Sequence, residues 1–279
     1  MDLLSRGNDA LSINPPTGVS EALSVVGSDW LWAVTAVYLV AFFGVLVPCF
    51  TSLESDRVFH YLYTLTILVG AVAYYSEAAD LGWSAVGLHQ VFFARYVNWA
   101  VAFPSAALGL GMLSGVSWTT IITNIVCAWV WVATYTAAAY TTTSYKWGFY
   151  AFGTFTYIIL AMSTLNESRE AAQRLGIARD YMILSGWVNL IWLLYTIAFA
   201  VTDGAHILSV TNGAIFVGIL DILMMPAWSV AFILLSRRWD YHKLRLDFSE
   251  HRFDPKSAIL GGNSKGGVVP IAAEPRSSD

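Results

Sequence analysis

Asp221 stands alone as a charge in the apolar run Gly218-Ile219-Leu220-Asp221-Ile222-Leu223-Met224-Met225-Pro226-Ala227-Trp228. An ionisable side chain in hydrocarbon costs some ~2.5 kcal/mol or more, so it needs a cation, a set of donors or a proton. Arg95 sits a turn or so into another apolar segment, followed by Asn98 and Trp99. The chemistry open to such a set is a neutral buried ion pair, which either serves a function or simply joins two helices. Glu77 and Asp80 fall where a further apolar segment ends; they are expected to be solvated there, with lining a vestibule as the functional alternative. His60, His89 and His206 show no ligand spacing with one another, so no metal site is expected. Neither enzymatic activity nor nucleic-acid binding is expected.

The elements that must position these residues are membrane spans. The 279 residues are 57% hydrophobic and only 12% charged, with a mean hydropathy of +0.58, which leaves too few polar groups to cover a soluble domain of this size. Seven apolar segments, approximately 29–50, 58–76, 91–113, 117–139, 145–165, 179–201 and 212–236, are long enough for about 30 Å of hydrocarbon at roughly 20 residues each. Runs such as Ile121-Ile122 and Ile158-Ile159-Leu160 lack the alternation of barrel strands. The expected fold is all-α, a seven-transmembrane-helix bundle.

Residues 1–28, with Asn14-Pro15-Pro16-Thr17-Gly18, lack the features of a cleaved signal peptide and are expected to form a flexible extracellular tail. Residues 29–238 make the membrane domain, and 239–279, with paired glycines and prolines, a largely disordered cytoplasmic tail. Arg57, Arg169, Arg174, Arg179, Arg237, Arg238, Lys243, Arg245 and Arg252 gather on one side, against Arg6, Arg95 and Lys146 on the other. This bias puts the N-terminus outside and the C-terminus in the cytoplasm. The link 77–90 is long enough for local structure. The link from Asn166 to Gly176 reads as a helical extension ending at a glycine cap, with Glu170 and Arg174 four apart. Cys49 and Cys127 lie in apolar segments and indicate no disulfide framework.

Because the third and seventh spans both begin outside, Arg95 and Asp221 are expected to form a direct or water-bridged pair. Pro104 and Pro226 each free a carbonyl inside a span, which neighbouring side chains or water must satisfy. Trp192, Tyr195 and Phe199 share one helical face, and with Trp99 they describe either a packed aromatic core or a slot for a flat apolar ligand. Small residues at Gly109 and Gly111, and at Ala137 to Ala139, permit close helix contacts within the bundle or between protomers of a homo-oligomer.

These residues carry a resemblance. Arg95-Tyr96-Val97-Asn98-Trp99 followed by Phe103-Pro104, Trp192-Leu193-Leu194-Tyr195, and Leu220-Asp221 resemble, in order and depth, the third-, sixth- and seventh-helix motifs of the microbial rhodopsins. The resemblance covers about 29–238. It implies that Asp221 matches the seventh-helix counterion, Arg95 the arginine of the outer proton route, and Trp99, Trp192 and Tyr195 the walls of a retinal pocket. It also implies that Tyr75 hydrogen-bonds the counterion region. The departures are Asn98 at the place of the carboxylate that accepts the Schiff-base proton, Gly109 at the cytoplasmic donor, Thr196 and Phe199 at a sixth-helix proline and tryptophan, and Met225 at the retinal lysine. The four lysines are Lys146, Lys243, Lys256 and Lys265, none of them at mid-membrane. No covalent retinal is expected.

The pattern is similar to the fungal opsin-related branch that includes the heat-shock-induced plasma-membrane proteins of yeast. The resemblance implies a non-photochemical, stress-responsive protein of the plasma membrane, a membrane chaperone or a modulator of the plasma-membrane proton ATPase. Membrane lipid and that ATPase are the expected partners. Two other readings stay open: a non-covalent binder of retinoid, sterol or another apolar ligand, and an ion channel or transporter.

Overall fold

In the computed structural model, which describes residues 8–51, 57–241 and 244, seven helices are long and apolar enough to cross a membrane. They are α1 (Val25–Thr51), α2 (Val58–Ala78), α3 (Phe93–Ser114), α4 (Trp118–Tyr140), α5 (Lys146–Leu175), α6 (Ala178–Gly204) and α7 (Val210–Ser236). Successive helices pack as neighbours and α7 returns to α1, closing a ring. The expected all-α bundle is present. Its central member is α3, 78% buried over its most apolar stretch against 22% for α5, and α3 carries Arg95, Asn98 and Trp99.

Local chemistry sets the ends. The side chains of Ser117 and Ser209 cap α4 and α7 by accepting from the main-chain N–H of Thr120 and Asn212. Gly115 and Gly176 end α3 and α5 in the left-handed conformation that lacks a β-carbon penalty. The link after residue 166 is thus a helical continuation of α5 stopped at Gly176, as its sequence implies. Three π-helical turns interrupt the spans: Ser163–Glu167 in α5, Ala200–Gly204 in α6 and Leu223–Ala227 in α7.

The prolines are accommodated by their neighbours. Pro104 strips the Ala100 carbonyl of its helical donor, and the Trp129 indole N–H supplies another at 2.9 Å. Pro226 lies within the π-turn of α7. The Tyr38 hydroxyl donates to the Asp221 carbonyl at 3.1 Å, one of the two carbonyls a turn above that Pro226 cannot serve.

The link between α2 and α3 folds as an antiparallel hairpin, β1 (Trp83–Val86) with β2 (His89–Phe92), in the register Trp83↔Phe92 to Val86↔His89. Residues expected to form a flexible tail dock onto it. Glu21 bridges His89 in parallel, the Leu23 N–H donates to Gln90 Oε1 at 2.8 Å, and the Asn14 amide donates to the Ala79 carbonyl at 2.8 Å. The Ser24 N–H donates to Thr211 Oγ1 at 2.9 Å, tying the start of α1 to the start of α7. The segment from Asn8 to Ser24 is therefore part of a cap over this end of the bundle. At the opposite end the Trp239 indole donates to Asp180 Oδ2 at 2.8 Å and its ring meets Phe59 and Phe232, so the chain stays packed just past α7. The expected disorder of the remaining C-terminal tail lies outside the described residues, as do Lys243, Lys256 and Lys265.

Candidate functional site

Asp221 is 2% exposed, and its carboxylate collects donors from three helices. Oδ1 accepts from the Trp99 indole at 3.0 Å and from the Tyr195 hydroxyl. Oδ2 accepts from the Tyr74 hydroxyl and from the Asn98 amide at 3.3 Å. An ionised carboxylate is acceptor-only with about four lone-pair sites, so four converging donors suit its charged form. This donor cage takes the place of a cation.

The expected Arg95–Asp221 pair is not formed. Arg95 Nη1 lies 3.4 Å from Asp203 Oδ2, and the Tyr96 hydroxyl donates to the same oxygen. The cause is depth: at ~1.5 Å per residue Arg95 is roughly 3 Å into α3, whereas Asp221 is roughly 16 Å into α7. Asp203, carried by the π-turn of α6, is level with the guanidinium. Sequence reasoning passed over Asp203, although it is the only acidic residue between positions 181 and 220.

A second correction concerns the tyrosine. Tyr74, not Tyr75, reaches the carboxylate; Tyr75 is 56% exposed and packs edge-on against Trp32 at 5.4 Å. Adjacent helical residues point about 100° apart, so only one of the two can face inward. Glu77 and Asp80, expected to be solvated, are both buried, Asp80 under the hairpin. Asp80 Oδ1 accepts from Gln90 Nε2 at 2.6 Å and its carbonyl from the Trp83 indole at 2.9 Å. Burial holds the Asp80 carboxyl above its ordinary range, and the Gln90 amide opposes this.

Histidines expected to be unrelated include one contacting pair: the rings of His89 and His206 stack with centroids 3.8 Å apart. His60 is buried in α2 near the opposite end. Among the described residues no group of three or more His, Cys, Asp or Glu is placed to hold a metal.

The aromatic face adjoining the carboxylate is a continuous packing of rings. Trp99 stacks on Phe103 at 5.7 Å and meets Tyr195 at 5.1 Å; Phe103 meets Trp131 at 4.9 Å; Trp131 meets Trp192 at 6.2 Å. Tyr135 continues the cluster to Phe199 at 4.4 Å and Tyr150 at 5.3 Å. These contacts describe a packed aromatic cluster beside the carboxylate. Trp131 and Tyr135 are the members that sequence reasoning missed; their spacing of four on α4 was a signal available beforehand. Met225 is buried one turn past Asp221. Toward the other end, the Tyr63 hydroxyl fills the space beside Gly109.

A family model described as bacteriorhodopsin-like protein matches residues 27–238. Protein FDD123 of Trametes versicolor is 34% identical over 274 residues, covering 95% of this chain and 96% of that one. Opsin-like protein carO of Fusarium fujikuroi is 30% identical over 287 residues, with 94% and 93% covered. The 30 kDa heat shock protein of Saccharomyces cerevisiae is 25% identical over 285 residues, with 88% and 83% covered. Among solved structures, a light-driven proton pump of Leptosphaeria maculans superposes with a TM-score of 0.75 at 24% identity, over 79% of this chain and 100% of that one, a likeness of fold. Bundle, motif order and these matches converge on one conclusion: the chain belongs to the bacteriorhodopsin-like family, with fungal opsin-like proteins among its relatives.

Proposed function

We propose that this integral membrane protein forms no Schiff base with retinal and works in the plasma membrane, hairpin end outside, as a non-enzymatic stress-responsive chaperone or modulator of the plasma-membrane proton ATPase. The observation that carries the reading is Met225. It is buried one turn past Asp221, and a thioether cannot condense with an aldehyde. Lys146 begins α5 at the hairpin end, away from Met225, and the other three lysines follow α7 in sequence. The mutual contacts of Trp99, Phe103, Trp131, Trp192 and Tyr195 leave these residues a poor fit for a retinal-sized polyene. Asn98 supplies an amide donor to Asp221 where proton uptake would need a carboxylate. The likeness to a heat shock protein supports the stress role.

The test is expression with all-trans retinal, for which no visible absorption band is expected; a band bleached by hydroxylamine would overturn the reading. The ATPase part is tested separately by vanadate-sensitive ATP hydrolysis in plasma membranes of heat-stressed cells with and without the protein. A difference between the two supports modulation, and equal rates count against it.

A further inference from the structure

His89 belongs to strand β2 and His206 to the turn between α6 and α7, and their imidazoles lie face to face, centroids 3.8 Å apart and planes 3° from parallel. Both side chains line a cavity of about 20 Å³ that also touches Arg95, Asp203, Thr202 and Ser209, room for about one water. Arg95 is 4% exposed, and its Nε, buried beside this cavity, has no hydrogen-bond partner. The stack is thus a contact between hairpin and turn beside the Arg95–Asp203 pair.

The turn is held in a demanding shape. His206 has φ +52°, in the left-handed region that side chains with a β-carbon rarely occupy. Its N–H donates to the Thr202 carbonyl at 2.8 Å, and the N–H groups of Ile207 and Leu208 both donate to the Val201 carbonyl at 3.0 Å. These bonds fix the backbone of the turn at His206, while His89 sits on a hairpin held independently by Glu21, by the Leu23 N–H on Gln90 and by buried Val91 and Phe92.

We propose that the His89–His206 stack is an acid-released latch: with His206 uncharged it holds the α6–α7 turn against the hairpin beside Arg95 and Asp203, and protonation of His206 draws that ring off its partner into solution. The charged and titratable groups around it come from every neighbouring element. They are Asp203 from α6, Arg95 from α3, Lys146 from the start of α5, Glu21 from the segment paired to His89, and Asp80 behind Gln90.

Burial, then the His89 ring, then Lys146 hold His206 below the ordinary imidazole range, and Asp203 pulls the other way. The closed form therefore binds this proton less well than an open, solvated form. Its advantage is complete above the ordinary imidazole pKa of about 6.5 and is lost as pH falls through and below that value.

Hydrogen–deuterium exchange of the full chain in lipid nanodiscs tests the latch, comparing about pH 7.5 with about pH 5, on either side of the ordinary imidazole pKa, after correction for intrinsic exchange. Amides of the 205–209 turn are expected to lose protection about 10-fold or more at the lower pH while α3, α7 and the hairpin keep theirs. In His206→Asn, whose new side chain tolerates the left-handed backbone, the acid-dependent loss is expected to vanish. Equal protection of the wild type at both pH values, or an undiminished loss in His206→Asn, overturns the proposal. Nitrogen NMR of histidine-labelled wild type needs no variant: a His206 ring neutral at about pH 7.5 and protonated at about pH 5 upholds it, whereas a His206 ring still neutral at about pH 5 overturns it.

Discussion

The hydroxyl of Tyr63 lies against the backbone of Gly109, inside the volume that any side chain at position 109 would occupy. Glycine is therefore required here by close approach of a ring, in the middle of a helix where its backbone freedom is a cost. Around it Tyr63 meets Trp228 at 5.4 Å and Phe232 at 5.0 Å, and Phe232 meets Phe59 at 4.7 Å. Aromatic packing thus fills the space around Gly109.

Gly109→Ala is accordingly expected to destabilise by about 1–3 kcal/mol through overpacking. Combining it with Tyr63→Ala should recover part of that loss, a coupling measurable by thermal unfolding in detergent as a double-mutant cycle. Strict additivity of the two substitutions would show that ring and glycine do not compete for the same space.

The donor cage makes an ordering of tyrosines. Tyr74→Phe and Tyr195→Phe each remove a hydrogen bond to a buried carboxylate and are expected to cost about 1.5–3 kcal/mol. Tyr75→Phe, on the exposed side, should fall within about 0.5 kcal/mol of wild type. Unfolding midpoints of the three variants check this; a Tyr75 effect as large as that of Tyr74 contradicts the assignment.

That ordering marks where the sequence was legible and where it was not. The seven spans were legible because hydrocarbon thickness is a one-dimensional length rule, and Asp221 because a carboxylate in an apolar run demands an explanation. Tyr74 and Tyr75 could not be told apart because α2 is apolar nearly all round, so its periodicity carries almost no phase. The partner of Arg95 was missed because a π-turn at Ala200–Gly204, invisible in composition, continues α6 far enough to place Asp203 beside it. The docking of the N-terminal segment onto the hairpin end rests on pairings between residues more than 60 positions apart, which local patterns do not encode.

Met225→Lys alone is expected to remain colourless with retinal, because restoring the amine does not empty the space held by Trp131 against Phe103 and Tyr157, each at 4.9 Å. Pigment is expected only when a ring-removing change such as Trp131→Leu accompanies it, as read by visible absorbance after reconstitution. A coloured single variant would mean that the rings yield easily to a ligand.

Asp80 sets a pH dependence with the opposite sign to the histidine latch. Its carboxyl is held above the ordinary range by burial, so the folded protein binds that proton more tightly than the unfolded chain. The unfavourable charge is felt above the raised pKa and disappears as pH falls through it. Asp80→Asn, which keeps an oxygen for Gln90, should therefore raise Tm at about pH 8 and lose that advantage toward about pH 4, the ordinary carboxylate range. A Tm difference independent of pH would locate the effect elsewhere.

Ser24 and Thr211 are 187 positions apart and bonded to each other. A ribosome must deliver six spans and the beginning of the seventh before that contact can form, whereas the links of the same segment to Ala79, His89 and Gln90 need only the first two spans and the hairpin. Closure of the ring is then a late event of biogenesis, made on an N-terminal segment that the hairpin can already have received.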